Sequence, residues 1–282
     1  MGFEVRKLSN AVGAEIVGFK VSTDLSDACI AEIRALFLKY QVLLFRDQNI
    51  SHDVHIAFSR RFGVLDNHKS VPEYRHPQYP ELIRVTNEGR EPSKVFGRQW
   101  HSDHSMALKP AMASLLHAHV LPEVGGDTCF SNMYMAYDTL SSGLKGLVDP
   151  LEAAHSVVAA RHLRGLDPET LNGKLTRNPP VVHPVVLVHP ETGRKALYVN
   201  EMMTSHFAGM TVEESEPLLG YLYQHSTRDE FVYRHQWRRH DILMWDNRCT
   251  MHLALADYDH SQLRDLYRTT VEGDRAGHYL AA

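Results

Sequence analysis

The chain has 282 residues, 43% of them apolar and 23% charged, which allows a large buried core and gives no sign of a disordered composition. A formal charge of −4, with no basic run longer than Arg60-Arg61 or Arg238-Arg239, excludes the broad positive field that nucleic-acid binding needs. Cys29, Cys129 and Cys249 are far apart and lack CxxC spacing, which argues against a disulfide framework or structural zinc and for a reducing compartment.

The N-terminal MGFEVRKLSN has no apolar core of a signal peptide, and position 6 is Arg where a myristoylation motif wants Ser or Thr. No run approaches the roughly 20 apolar residues of a membrane span. A soluble, cytoplasmic protein that binds neither membrane nor nucleic acid is expected. No Pro/Gly/Ser linker divides the sequence, so residues 1–282 are read as one domain.

In chain order, a helix is predicted over 25–40, where Ile30, Ile33, Phe37 and Tyr40 repeat at helical spacing and Asp24 or Ser26 can cap. Residues 41–45 read as a buried strand. A second helix over 51–62 has Ser51 as cap, Val54, Phe58 and Phe62 on one face, and Gly63 past its end. Short apolar runs predict strands at 113–120, 185–188 and 196–199, the last two joined as a hairpin by His189-Pro-Glu-Thr-Gly193. Residues 211–225 open with Thr211 and carry Glu213 and Glu214 in the first turn, the pattern of a capped helix. Strand character returns at 231–237, 242–245 and 266–271. The polar, Pro- or Gly-rich stretches 67–80 and 161–180 are read as long loops of the kind that cover a site.

Trp100-His-Ser-Asp103 is the first chemical signal. On a strand, residues i and i+2 project to one side, so His101 and Asp103 can bind one ion. In a chain with 19 histidines such a pair also arises by chance and fits two polar residues on a solvent-facing strand. The segment Trp245-Asp-Asn-Arg-Cys-Thr-Met-His252 adds an imidazole after an apolar strand. Two histidines and one carboxylate can occupy one face of an octahedral iron, leaving three positions for a bidentate 2-oxo acid and O₂. Sixteen residues on (268 − 252), Arg268 lies in a strand-like run where a guanidinium fork can bind a carboxylate. His117-Ala-His119 also alternates on a strand, but no matching Glu and His follow, and a core or surface role is expected. Trp100 and Trp245 are read as packing residues.

These motifs resemble, in order, those of the taurine dioxygenase family, which includes phenoxyacetate dioxygenases of the TauD/TfdA type. The resemblance runs over nearly the whole chain: Gly13-Ala-Glu-Ile, Gln48, Ala57-Phe-Ser-Arg-Arg-Phe-Gly63, WHSD, Gly125-Gly-Asp-Thr128, WDNRCTMH and Tyr267-Arg-Thr-Thr. It implies a mainly β fold with added helices, a double-stranded β-helix or jelly roll. It also implies Fe(2+) held by His101, Asp103 and His252, and 2-oxoglutarate as co-substrate with O₂. Arg268 would grip the distal carboxylate of 2-oxoglutarate, with Thr128 hydrogen-bonding it. Arg264, four residues earlier, is the competing arginine; the Arg-x-Thr surroundings of Arg268 favour the latter. The implied reaction hydroxylates a small anionic organic substrate, a phenoxyalkanoate, another carboxylate or a sulfonate such as taurine, and releases succinate and CO₂. His68, Lys94 and Arg98 are the candidate partners of the substrate anion, and a homo-oligomer, dimer or tetramer, is expected. The rival readings are a zinc-dependent hydrolase, which leaves Arg268 unexplained and lacks HExxH, and a non-catalytic jelly-roll binding module.

Overall fold

Val42-Leu-Leu-Phe45 is buried at every position, and the reason is visible in the layers around it. The computed structural model describes residues 3–69, 71–89, 97–157 and 167–279. Its strands in chain order are β1 (Glu4–Lys7), β2 (Ala14–Val17), β3 (Val42–Phe45), β4 (Ile83–Thr86), β5 (Ala111–Val120), β6 (Thr128–Asn132), β7 (Glu152–His155) and β8 (Val181–Pro184). They continue as β9 (Val186–Val188), β10 (Lys195–Leu197), β11 (Thr204–Phe207), β12 (Val232–His235), β13 (Ile242–Asp246), β14 (Thr250–Ala254), β15 (Asp265–Glu272) and β16 (His278–Tyr279). The helices are α1 (Asp27–Tyr40), α2 (His52–Arg60), α3 (Met133–Asp138), α4 (Ser142–Val148), α5 (Pro168–Arg177) and α6 (Val212–Ser226).

A seven-stranded sheet, β1-β2-β3-β13-β5-β15-β4, is accompanied by the shorter sheets β12-β6-β14 and β11-β7-β8-β16 and the hairpin β9–β10. In the large sheet only β2 and β3 run parallel. This is the jelly roll that the motifs implied. Side-chain alternation divides the large sheet's two faces. Leu43 and Phe45, with Ile242, Met244, Ala113 and Leu115, pack beneath α1 and α2. Val42 and Leu44, with Leu243, Trp245, Leu116 and Leu266, face Phe130 of β6. Strands covered on both faces read as continuous apolar runs rather than as alternation. Arg268 follows Leu266 by two positions in β15, so it shares this inner face, whereas Tyr267 and Thr269 face α2.

The helix termini follow their caps. Ser26 accepts the Cys29 N–H, Ser51 accepts the Val54 N–H, and Thr211 forms a capping box with Glu214. The predicted hairpin is present, with Lys195, Ala196 and Leu197 opposite Val188, Leu187 and Val186. One expected loop is partly a helix. Within 161–180, Asp167 accepts the Thr170 N–H at 2.9 Å and Pro168 opens α5, a position where proline's missing N–H is harmless. Asn172 and Gly173 inside that helix hide its period, and residues 158–166 lie outside the described ones. Of the stretch 67–80, the described residues 67–69 and 71–80 are irregular as expected, held by His76 N–H on the Leu82 carbonyl at 2.8 Å. Among the described residues no helix is long and apolar enough to cross a membrane.

Candidate active site

Strand β14 brings His252 to the inner face, paired through β6 with Phe130. Outside the sheet proper, His101 and His252 exchange backbone hydrogen bonds of 3.1 and 2.8 Å, which sets the two imidazoles side by side with ring centroids 4.1 Å apart. The chain then turns rather than continuing as a strand, so Asp103 joins His101 by a turn and not by the i, i+2 alternation expected from the sequence. Asp103 Oδ1 lies 3.9 Å from His101 Nε2, and Oδ2 lies 3.8 Å from His252 Nε2. Candidate ligand atoms of the three residues fall within 4.8 Å of one another, and all three residues are buried.

Neighbouring groups fix this arrangement. His101 Nδ1 is 2.7 Å from the Gln99 carbonyl, which assigns its N–H there and leaves Nε2 as the ligating nitrogen. Asp103 N–H donates to Asn247 Oδ1 at 3.1 Å, and Ser114 Oγ donates to Asp103 Oδ2 at 2.6 Å. Asn247 Nδ2 in turn donates to Ser114 Oγ, while Trp245 Nε1 donates to Asn247 Oδ1, each at 3.0 Å. Trp245 therefore does more than pack. Ser114 and Asn247 were missed in the sequence; Asn247 sits inside the WDN motif, but nothing in an alternating strand singles out Ser114.

The protonation states suit a metal. Burial lowers the ionisation of both imidazoles, His252 well below the usual histidine value, so both are neutral ligands near pH 7. Burial alone would raise the Asp103 carboxyl, but the fields of Arg268, His252 and His101 outweigh it and hold the group far below the ordinary carboxylate range. Two neutral imidazoles and one carboxylate, each buried, fit Fe(II).

The two arginines are divided between different ends of the site. Arg268 Nη1 bonds Asp103 Oδ1 directly, which places its charge beside the metal ligands. Arg264 lies just before β15, 3% exposed, with Nε on the Gly126 carbonyl at 3.0 Å. Gly126 has φ +70°, and a Cβ there would come within 3.1 Å of Arg264 Cδ and Nε. Glycine at this position is what lets the guanidinium lie along the Gly-Gly-Asp-Thr segment. Burial pushes Arg264 down to about 10, and among the described residues no carboxylate is within ion-pair distance of it. Thr128, two residues beyond Gly126, accepts the Trp237 Nε1–H at 2.9 Å.

Two of the three candidate substrate residues, Arg98 and His68, lie among the described ones. Lys94 lies outside the described residues. Arg98 is half-buried, with Nη2 3.3 Å from His260 Nε2. His68 is fully buried, with Nε2 3.2 Å from the Glu81 carbonyl. His117 and His119 sit on the opposite face of β5, beneath α2, where His119 Nε2 is 3.1 Å from His117 Nδ1. They are apart from the triad, His117 buried and His119 half-buried, within the core or surface role expected of them.

Residues 4–270 match the family described as taurine catabolism dioxygenase TauD, TfdA family. The alpha-ketoglutarate-dependent 2,4-dichlorophenoxyacetate dioxygenase of Cupriavidus pinatubonensis is 35% identical over 277 residues, covering 94% of this chain and 95% of that one. The (S)-phenoxypropionate/alpha-ketoglutarate-dioxygenase of Sphingobium herbicidovorans is 32% identical, covering 97% and 96%. The crystal structure of AAD-2 in complex with Mn(II) and N-oxalylglycine superposes with a TM-score of 0.83 at 33% identity, over the full length of both chains.

Proposed function

Because the chain belongs to the TauD/TfdA dioxygenase family, we propose that it is an Fe(II)- and 2-oxoglutarate-dependent dioxygenase whose substrate is a small organic carboxylate, a phenoxyalkanoate ahead of a sulfonate such as taurine. The observation that carries this reading is Arg264. A buried cation without a carboxylate beside it is unfavourable unless an anion enters with it. 2-Oxoglutarate brings a carboxylate at each end. Arg264, with Thr128 close along the same segment, suits the distal one, and this moves the role implied for Arg268 to the arginine four residues earlier, just before β15. Arg268, beside Asp103, then faces the anion that approaches the metal, and we assign it the substrate carboxylate. A zinc hydrolase has no use for such a pair.

His101, Asp103 and His252 would hold the iron. When bound, Fe(II) supplies the coupling of 2-oxoglutarate decarboxylation, by O₂, to hydroxylation of a substrate C–H bond, with succinate and CO₂ released. The protein's own contribution is placement. Ser114 and Asn247 hold the Asp103 carboxylate, and Arg268 orients the substrate so that the carbon next to its carboxylate is presented. Phe130 stacks on His252 and Trp245 lies tilted against it, at centroid distances of 6.1 and 4.8 Å, which lines that side of the site with apolar rings. If the hydroxylated carbon bears an ether oxygen, the product collapses to an oxo acid and a phenol. The family match over residues 4–270 supports treating the chain as one catalytic unit.

The test is succinate formation with Fe(II) and 2-oxoglutarate across phenoxyacetates, 2-phenoxypropionates and taurine. Succinate with phenoxy acids is expected. Turnover confined to sulfonates would overturn the substrate class, and activity indifferent to O₂ would overturn the reaction.

A further inference from the structure

Strand β12 runs beside the Gly-Gly-Asp-Thr segment, and a residue just past its end fixes where one proton can point. Thr128 opens β6 and is 3% exposed. His235 of β12 lies opposite it in the ladder, and Trp237, two residues on, donates its indole Nε1–H to Thr128 Oγ1 at 2.9 Å. The indole is itself held in place. It meets the His235 imidazole edge to face, with ring centroids 4.8 Å apart at 90°. That imidazole is engaged at both nitrogens: Nδ1 accepts from the Tyr233 hydroxyl at 2.9 Å, and Nε2 donates to Asp241 Oδ2 at 3.2 Å.

The direction of the Trp237–Thr128 bond carries the argument. An indole N–H can only donate, so Thr128 Oγ1 is the acceptor and the hydroxyl's own proton lies on another side of the oxygen. Among the described residues Thr128 Oγ1 makes no second hydrogen bond, so a buried donor is left for something else to accept. A carboxylate, which offers only acceptors when ionised, meets that need. Arg264 is arranged in the same sense. Among the described residues its guanidinium makes one hydrogen bond, through Nε to the Gly126 carbonyl, which leaves both Nη groups to donate. Without the indole, the Thr128 hydroxyl would be free to rotate and to turn its lone pairs toward an incoming anion.

We propose that Trp237 is a positioning residue for the co-substrate, an inference that rests on the reading of Arg264 and Thr128 as the grip on 2-oxoglutarate. By occupying the acceptor side of Thr128, the indole commits that hydroxyl to donate to the distal carboxylate. Selectivity gains along with affinity, because a 2-oxo acid without a second carboxylate offers this proton nothing to meet. Trp237 acts through Thr128, so its effect vanishes when either the Thr128 hydroxyl or the distal carboxylate is removed.

Binding is read by calorimetric titration of full-length protein loaded with redox-inert Zn²⁺. The two titrants are 2-oxoglutarate and 2-oxopentanoate, which has the same chain length and chelating head but no distal carboxylate. Trp237→Phe should weaken 2-oxoglutarate about 5-fold and leave 2-oxopentanoate unchanged, whereas Thr128→Val should weaken 2-oxoglutarate about 10-fold or more. In the Thr128→Val background, Trp237→Phe should add no further loss. Circular dichroism melts establish that each variant is folded. If Trp237→Phe does not fold, wild type labelled with ¹⁵N in the indoles of its three tryptophans decides. The Trp237 resonance, identified by its displacement in Thr128→Val, should move on adding 2-oxoglutarate and stay in place on adding 2-oxopentanoate. Unchanged 2-oxoglutarate affinity in Trp237→Phe, equal loss for both acids, a loss that persists in Thr128→Val, or an indole signal indifferent to 2-oxoglutarate would overturn the role of Trp237. Wild type that binds no 2-oxoglutarate would overturn the co-substrate reading itself, and this role with it.

Discussion

Arg264 lies against Gly126, its Nε on the glycine carbonyl at 3.0 Å and its Cδ and Nε each 3.1 Å from where a Cβ would sit. Because this guanidinium is buried, removing it should cost the anion it binds about 2–5 kcal/mol, an increase of ~30-fold or more in the 2-oxoglutarate requirement. Arg264→Ala is therefore expected to raise the KM for 2-oxoglutarate far more than Arg268→Ala, which should act chiefly on substrate. Gly126→Ala should resemble a milder Arg264→Ala. Steady-state titrations of both substrates decide the matter, and a larger 2-oxoglutarate effect at Arg268 would restore the role to that residue.

The choice between these arginines shows what was legible in the sequence and what was not. His101, Asp103 and His252 could be found because each lies in a motif whose residue types are those of metal ligands. The motif favoured Arg268 through its Arg-x-Thr surroundings, although both arginines precede or occupy one strand four residues apart, and we propose the opposite assignment on the contact that Arg264 makes. What separates them is the backbone of Gly126, a contact between segments 138 residues apart (264 − 126). Buried strands β3 and β13 were readable from apolar runs. Helix α5 was not, because Asn172 and Gly173 interrupt its period, and the brace on Asp103 was not, because Ser114 looks like any small residue on a buried strand.

A chelating 2-oxo acid should announce itself spectroscopically. Anaerobic Fe(II) plus 2-oxoglutarate is expected to give a weak metal-to-ligand charge-transfer band in the visible. His101→Ala or His252→Ala should abolish it by removing a ligand. Binding of 2-oxoglutarate to Fe(II)-loaded wild type with no such band would exclude bidentate chelation.

The Ser114–Asp103–Asn247 network predicts a graded loss of metal. Ser114→Ala removes the donor to Oδ2, and Asn247→Ala removes both the acceptor of the Asp103 N–H and the group that orients Ser114. Partners of metal ligands are typically worth ~10–100-fold in affinity. Mn(II) binding followed by electron paramagnetic resonance should weaken by about that factor in each variant, more in Asn247→Ala. Wild-type affinity in both would mean that Asp103 needs no support.

Beneath α2 the histidines predict an acid limit to stability. His117 Nε2 lies 2.8 Å from the Gln48 carbonyl, so it carries the proton, and Nδ1 accepts from His119 Nε2 at 3.1 Å. His52 stacks on His119 at 5.2 Å, and Tyr267 lies 4.7 Å from it. Burial, with like-charge repulsion from neighbouring histidines, lowers His117 to about 3 and His119 to about 4, against about 6.5 in the unfolded chain. Between those values the unfolded state binds more protons than the native one. Stability therefore falls as pH drops from about 6.5 toward 4, and the loss levels off only below the folded-state values. Protonating His117 Nδ1 also breaks its bond to His119, so the two titrations are coupled. Thermal melts of metal-stripped protein should show Tm falling across this window. His119→Gln, which can still donate to His117 Nδ1, should reduce the fall by on the order of a few °C. A pH profile of Tm identical in wild type and His119→Gln would show that His119 takes up protons equally in the folded and the unfolded chain, and would overturn this account.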